Sequence, residues 1–152
     1  MRHTRFYDGG RRRAGTVRRV TLPPPPRIQV SAAVIVDDLG RLLMVRKAGT
    51  TAFMQPGGKP EPGESAADTL RRELAEELGI AVEPNGLRPL GSFSAPAANE
   101  AGHVVVAEVF AAEIGDQEPV AAAEIAEVRW VSRAEADHLD IAPLARDNFL
   151  LG

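Results

Sequence analysis

One stretch near the middle of the chain constrains the fold more than any other: an irregular loop that leads directly into a strongly predicted helix. Residues 49–63 contain four glycines and three prolines, which is typical of a loop. Residues 65–78 are good helix formers, and Gly79 follows them as a typical helix stop. The chain must therefore turn from a glycine-rich loop into a helix at this point.

Three glutamates lie on one face of this predicted helix. Glu76 and Glu77 follow Glu73 by three and four residues, the spacings at which helical side chains are neighbours. Like charges at these spacings repel each other and destabilise a bare helix. Clustered carboxylate oxygens suit Mg²⁺ or Mn²⁺, and Mg²⁺ is usually shared between carboxylates and substrate phosphates. We therefore expect these glutamates to hold a divalent metal together with a phosphorylated ligand.

Neighbouring residues fit the same interpretation. Gly57 and Gly58 let the backbone approach a metal closely. Arg72 precedes Glu73 and lies four residues before Glu76, so it is placed to orient carboxylates that bind a metal. The alternative interpretation is a solvated acidic face, which is the usual meaning of a charge run. That alternative does not explain why the glycines and the Arg-Glu pair occur together at these spacings.

Residues 58–80 resemble the signature of the Nudix (MutT-like) hydrolases. That signature reads Gly, five residues, Glu, seven residues, Arg-Glu, a hydrophobic residue, any residue, Glu-Glu, any residue, Gly and a hydrophobic residue. Its fixed positions are filled by Gly58, Glu64, Arg72, Glu73, Leu74, Glu76, Glu77, Gly79 and Ile80. The resemblance implies a hydrolase that cleaves a pyrophosphate bond in a nucleoside diphosphate linked to another group, with ADP-ribose-like compounds and nucleoside triphosphates both open as substrates.

The resemblance also implies roles for individual residues. The signature glutamates would carry Mg²⁺, or Mn²⁺ in its place, with the backbone carbonyl of Gly57 as a further ligand. Family members take the proton of the attacking water with either a signature glutamate or a later one. Glu124 is the first choice for the later acid here, and Glu100 and Glu127 are the alternatives. The competing function is a Nudix-fold sensor or scaffold that binds a phosphorylated metabolite without turnover.

Four further residues are candidates for substrate binding. Arg46 and Lys59 flank the glycine loop, where they would meet phosphate, although exposed cations at such places are equally common. Lys47 shares this interpretation with Arg46. Phe53 is placed to stack on a base, although a lone aromatic side chain more often belongs to the core. His103 ends residues 94–103, which are predicted to form the substrate loop.

The remaining pattern predicts an α/β fold, a mixed β-sheet flanked by helices, and the resemblance specifies an α/β/α sandwich. Strands are predicted at residues 28–36, 41–46, 87–93, 103–112 and 127–131, and helices from Ser132 and over 141–151. The turn signal Asp37-Asp38-Leu39-Gly40 indicates that the first two strands pair as a hairpin.

The two ends of the chain differ in charge. Residues 1–27 hold eight arginines and one aspartate, a charge of +7, which leaves −10 for the rest of a chain whose net charge is −3. We interpret residues 1–26 as a flexible basic arm ending in a polyproline spacer and residues 27–152 as the Nudix domain. An acidic body disfavours nucleic acid as a partner and favours bridging cations.

Composition excludes several other classes of protein. The absence of cysteine rules out disulfides and thiolate metal sites. No apolar stretch is long enough for a membrane span, and no apolar segment follows the first arginines as it would in a secretory signal. We therefore expect a cytoplasmic protein with no membrane partner. The oligomeric state stays open, with a homodimer as one alternative.

Overall fold

Two β-sheets and one long helix frame the part of the chain that the computed structural model describes, residues 22–150. Most of the predicted basic arm, residues 1–21, lies outside the described residues. The strands are β1 (Arg27–Val34), β2 (Leu42–Lys47), β3 (Phe53–Met54), β4 (Gly57–Gly58), β5 (Leu87–Pro96), β6 (Val104–Ala112) and β7 (Ile125–Val131). The helices are α1 (Ala66–Leu78), α2 (Arg133–Ala136) and α3 (Pro143–Asn148), and a 3₁₀ turn covers Pro84–Gly86.

The larger sheet is mixed, as the pattern predicted. Its strand order is β4-β1-β6-β5, in which β1 and β6 run parallel and the other pairs are antiparallel. The smaller sheet has the order β3-β2-β7 and is antiparallel throughout. The α/β fold class is therefore confirmed.

Strand β2 shows how the layers are stacked. Leu43 and Val45 belong to the apolar cluster that includes the buried stripe of α1. Leu42 and Met44 belong to the cluster that includes Ala145 of α3. Because successive side chains of a strand point to opposite faces, β2 is covered on both sides. A strand buried on both faces has a continuous apolar run, as residues 42–45 do.

The predicted hairpin of the first two strands is wrong beyond its turn. Asp37 Oδ1 accepts hydrogen bonds from the N–H groups of Leu39 and Arg41, so the turn itself forms. Val36 and Leu42 make the one bridge that follows it. The strands then separate, because β4 and β6 occupy the two edges of β1 while β3 and β7 occupy those of β2.

Helix α1 begins and ends within a residue of the prediction. The Ser65 side chain accepts a hydrogen bond from the Asp68 N–H, which caps the first turn. Gly79 ends the helix in the left-handed conformation, with φ 67°. Leu70, Leu74 and Leu78 are fully buried along one side. Local capping and apolar periodicity thus determine this element.

The C-terminal helix is shorter than predicted. The residues before α3 pair with β3 instead of starting the helix at Ile141: Phe53 N–H donates to the Asp140 carbonyl and Ala142 N–H donates to the Phe53 carbonyl, both at 2.8 Å. The short helix α2 is confirmed, with the Ser132 side chain as its cap. Among residues 22–150, no helix is both long and apolar enough to cross a membrane.

Candidate active site

The glycine loop lies so close to its neighbours that a side chain at Gly57 would collide with β1 and one at Gly58 would displace the Glu73 side chain of α1. A Cβ atom on Gly58 would lie 2.5 Å from the Glu73 Cδ. A Cβ atom on Gly57, whose φ is 150°, would collide with the Ser31 carbonyl oxygen of β1. The pair of glycines therefore lets one backbone segment pass between β1 and the helix face that carries Glu73, Glu76 and Glu77, which we call the acidic face.

Arg72 gathers the carboxylates of this face. Its guanidinium forms a two-point ion pair with Glu64, Nε to Oε2 and Nη2 to Oε1, both at 2.8 Å. Nη1 donates to Glu73 Oε1 at 2.9 Å and to Glu76 Oε2 at 3.4 Å. Nη2 also donates to the Lys59 carbonyl of the loop at 3.1 Å. Arg72 thus ties the loop, the start of the helix and two signature glutamates together.

Glu64 is the anchor of this arrangement, a role that our sequence analysis did not assign to it. The side-chain hydrogen bonds from Arg72, followed by the Glu61 N–H and the Thr69 hydroxyl, hold the pKa of Glu64 at about 2. The carboxyl group stays ionised at every physiological pH, so it keeps Arg72 in place. Its position in the signature was the signal that pointed to it.

Glu77 is the buried member of the acidic face. Its side chain is 2% exposed, and Oε2 receives one long hydrogen bond, 3.4 Å, from the Gly57 N–H. Oε1 has no partner among residues 22–150. Burial, reinforced by the neighbouring Glu73 charge, raises the pKa of Glu77 to about 8, against the opposing effects of the Gly57 N–H and Lys47.

These features fit a divalent cation. The donors are all oxygens, and a buried Glu77 oxygen lacks a partner. A nearby positive charge would counteract the effect of burial that raises the pKa of Glu77. The Glu76 side chain is 54% exposed and the Glu73 side chain is 14% exposed, so the acidic face extends from solvent towards the buried Glu77. Within residues 22–150, no three acidic or imidazole groups already converge as a complete ligand set, and Arg72 holds Glu73 and Glu76 by hydrogen bonds.

A cavity of about 110 Å³ lies beside the glycine loop. Its wall is mostly apolar and includes Gly57 and Gly58, whose other side contacts the acidic face. Polar contributions come from Ser31, Lys47 and Gln55. A mostly apolar recess with a few polar groups, next to a cluster of acids, is typical of a small-molecule site.

Lys47 rather than Arg46 reaches this cavity. Arg46 donates to Glu127 at 3.3 Å and to the Thr50 carbonyl at 3.0 Å, so it holds the turn after β2. Lys47 lines the cavity, and its Nζ lies 3.5 Å from Glu124 Oε1.

Glu124 lies beside the end of β2, where it pairs with Lys47. The register between β2 and β7 shifts by one residue between the Arg46–Glu127 and Lys47–Ile125 pairs, so β7 carries a bulge. Glu124 precedes this bulge, its carbonyl accepts the Ala48 N–H, and its side chain is 60% exposed. Bulges of this kind often re-aim residues next to active sites.

The side chains of three other predicted residues, Phe53, Lys59 and His103, make their contacts outside the acidic face. Phe53 is 5% exposed in the core, with the Arg129 guanidinium 5.9 Å from its ring, so the ring packs inside the protein. Lys59 is exposed and pairs loosely with Glu100 at 3.8 Å. His103 lies in the turn before β6, where Nδ1 is 3.1 Å from the Ala101 carbonyl oxygen.

Comparison with known proteins is consistent with this geometry. The family model described as NUDIX domain matches residues 25–150. The 8-oxo-dGTP diphosphatase of Haemophilus influenzae is 39% identical over 57 residues, which cover 35% of this chain and 42% of that protein. The ADP-ribose pyrophosphatase of Methanocaldococcus jannaschii is 26% identical over 123 residues, 74% of this chain and 72% of that protein. The chain thus spans less than half the length of the first of these relatives.

The same agreement is found in three dimensions. The crystal structure of the MutT protein from Methanosarcina mazei superimposes with a TM-score of 0.66 at 26% identity, over 83% of this chain and 92% of that one. Sequence and fold therefore agree with the resemblance that residues 58–80 predicted. The chain belongs to the Nudix family.

Proposed function

We propose that this protein is a divalent-metal-dependent hydrolase that cleaves a pyrophosphate bond in a nucleotide derivative. The observation that carries the proposal is Glu77, a buried carboxyl group with one unpartnered oxygen beside Glu73 and the glycine loop. A carboxyl group buried without a partner is destabilising unless a ligand compensates it. A cation shared with a diphosphate supplies that compensation.

In this proposal the acidic face holds the metal and the residues around it position the substrate. Glu73, Glu76, Glu77 and the Gly57 carbonyl bind Mg²⁺ or Mn²⁺. When bound, the cation offsets the charge of the diphosphate and makes a water more acidic. Arg72 orients Glu73 and Glu76, and Lys47, whose side chain lines the neighbouring cavity, binds a phosphate oxygen.

The reaction is the attack of water on one phosphorus atom, with cleavage of the bridging P–O bond. We propose Glu124 as the general base, because it lies beside Lys47 and is exposed enough to meet a water. Glu127 and Glu100 are the weaker alternatives, since they pair with Arg46 and Lys59, neither of which lines the cavity. The departing phosphate oxygen takes up the negative charge.

The substrate is a nucleoside triphosphate or an ADP-ribose-like compound. One relative is named for 8-oxo-dGTP and another for ADP-ribose, and both compounds present a pyrophosphate bond next to a nucleoside. We propose a cytoplasmic location, where such nucleotides are made and used. A homodimer stays a prediction.

A substrate panel tests the proposed function. The full chain is incubated with Mg²⁺ or Mn²⁺ and with ADP-ribose, the common nucleoside triphosphates and 8-oxo-dGTP, and the products are identified by mass. We expect a nucleoside monophosphate from at least one of them. Glu76→Gln should lower kcat/KM by about 100-fold or more, whereas the exposed Glu118→Gln should not. A wild-type chain that binds these compounds without turning any over would favour the sensor function instead.

A further inference from the structure

Ala123 adopts a backbone conformation that is unfavourable for its residue type. Its φ is 52°, the only positive φ of a residue other than glycine among residues 22–150. The Ile125 N–H donates to the Ala122 carbonyl at 3.1 Å, so Ala123 and Glu124 are the central residues of a tight turn. A positive φ at the first central residue but not at the second is typical of a type II′ turn, where glycine is normally found. An alanine at this place is strained.

Contacts of Ala123 itself do not compensate this strain. Its side chain is a single exposed methyl group, and its N–H donates no hydrogen bond within residues 22–150. Strained backbone persists only where the surrounding structure over-determines it, and such residues cluster at active sites. The cause of the strain must therefore lie in the residues on either side.

Both neighbours of Ala123 are tethered to other elements of the fold. The Ala122 N–H donates to the backbone carbonyl of Glu77 near the end of α1, at 2.9 Å. The backbone carbonyl of Glu124 accepts from the Ala48 N–H, just after β2, also at 2.9 Å. Ala123 alone links these two fixed points, so its backbone conformation is set by the path between them.

The two tethers lead to the residues that a general base needs nearby. Glu77 is the buried carboxyl group proposed to bind the metal. Lys47, which precedes Ala48, is the proposed phosphate ligand, and its Nζ lies 3.5 Å from Glu124 Oε1. The turn therefore fixes the backbone of Glu124 relative to both residues at once. Such placement matters, because misplacing a catalytic group by about 1 Å lowers the rate by ~100-fold.

We propose that Ala123 is a positioning residue, whose strained turn holds Glu124 in place as the general base. The inference rests on the proposed function and on the role of Glu124 in it. Without the positive φ, Ala122 and Glu124 cannot both keep their backbone hydrogen bonds, so the Glu124 side chain moves away from Lys47. Ala123 itself touches no reacting group and acts only through Glu124.

Two substitutions of Ala123 test the proposal in opposite directions, with the panel compound that is hydrolysed fastest. Proline has φ fixed at about −65° and cannot form the turn, so Ala123→Pro should lower kcat by about 100-fold and leave KM within about threefold. Glycine adopts a positive φ without strain, so Ala123→Gly should keep the wild-type kcat and raise the Tm by about 2 °C or more. The matched control is Ala121→Gly, at an exposed site without a positive φ, which should not raise the Tm.

A double variant separates positioning from general damage to the site. Glu124→Gln removes the proposed base, so a turn that acts only through Glu124 has nothing left to position. The double variant Ala123→Pro, Glu124→Gln should therefore have the kcat of Glu124→Gln alone, within about threefold. A merely structural effect of the proline would multiply the two losses instead.

The outcomes separate this inference from the proposed function. Wild-type kcat in Ala123→Pro or in Glu124→Gln, multiplied losses in the double variant, or no gain in Tm in Ala123→Gly each overturn the inference, while the proposed function stands on the hydrolysis by the wild type. If Ala123→Pro does not fold, Ala123→Val replaces it in both comparisons, because a branched side chain also disfavours a positive φ. A wild-type chain that hydrolyses no compound of the panel overturns both proposals.

Discussion

Removing the charge of Glu77 should stabilise the metal-free protein as the pH rises. In Glu77→Gln the amide oxygen still accepts from the Gly57 N–H, and the amide group has nearly the same size and shape as the carboxyl group. The variant therefore keeps the packing of the site but cannot ionise. Any gain in stability reports the cost of an ionised carboxyl group at this buried position.

The size of the effect follows from the pKa values. The pKa of Glu77 is about 8 in the folded chain, against a reference of 4.5. The folded state then holds the proton more tightly, so wild-type stability falls as the pH rises from 4.5 to 8. The full pKa difference corresponds to a loss of about 5 kcal/mol in the free energy of unfolding, of which about 3 kcal/mol is already lost at pH 7. For a domain of this length that is a difference in Tm of roughly 10 °C.

Thermal melts in EDTA between pH 4 and pH 9 measure this difference. We expect the Tm of Glu77→Gln to match that of the wild type near pH 4 and to exceed it progressively above pH 5. Addition of Mg²⁺ should raise the wild-type Tm and leave the variant nearly unchanged. Glu76→Gln is the matched control, since the same substitution on an exposed side chain should give no pH-dependent gain. Parallel Tm profiles for Glu77→Gln and the wild type would refute the reasoning.

Three further predictions concern the surroundings of the acidic face. Gly58→Ala should lower kcat/KM by about 100-fold with little change in Tm, because its Cβ displaces the Glu73 carboxyl group. Glu64→Gln should melt at a lower temperature than the wild type at pH 7, with the difference vanishing as the pH falls from 4.5 to about 2, because stability from a carboxyl group with a lowered pKa is lost over that range. Glu124→Gln should lower kcat by about 100-fold or more while substrate binding is retained.

Each of these has its own control. Gly86→Ala adds a Cβ that meets only the flexible Val82 side chain at 3.2 Å and should keep wild-type activity. For Glu64→Gln, Tm differences that persist unchanged at pH 2 would show that the ion pair with Arg72 is not their source. For Glu124→Gln, kcat within threefold of the wild type would transfer the role of general base to Glu127 or Glu100, which the same substitution then tests.

Residues close together in the chain carried most of the correct predictions. The Ser65 cap, the Gly79 stop and the apolar stripe of α1 are set by hydrogen bonds and spacings within one helix. The turn at Asp37 is equally local, because its side chain caps backbone groups two and four residues away. Such features need no knowledge of the rest of the fold.

The sequence pattern did not predict which strands pair when they lie far apart in the chain. The first two strands join different sheets because other segments occupy their edges. The two-residue strands β3 and β4 were hidden in a predicted loop, since Phe53 and the glycines show no strand periodicity. Strand pairing depends on partners far along the chain, which one sequence does not reveal.

The difference between what the sequence predicts and what only the tertiary structure shows is clearest at the acidic face. The sequence by itself determined that Glu73, Glu76 and Glu77 share one side of a helix, because helical geometry depends on spacing alone. Only the tertiary structure decided that Glu77 is buried and Glu76 exposed, that Lys47 lines the cavity and Arg46 does not, and that Gln55 is left with an unpaired oxygen. Burial depends on what covers a surface, and here β1 and the glycine loop lie against the helix. The raised pKa of Glu77, the unpaired oxygen of Gln55 and the cavity beside the glycine loop all result from this burial.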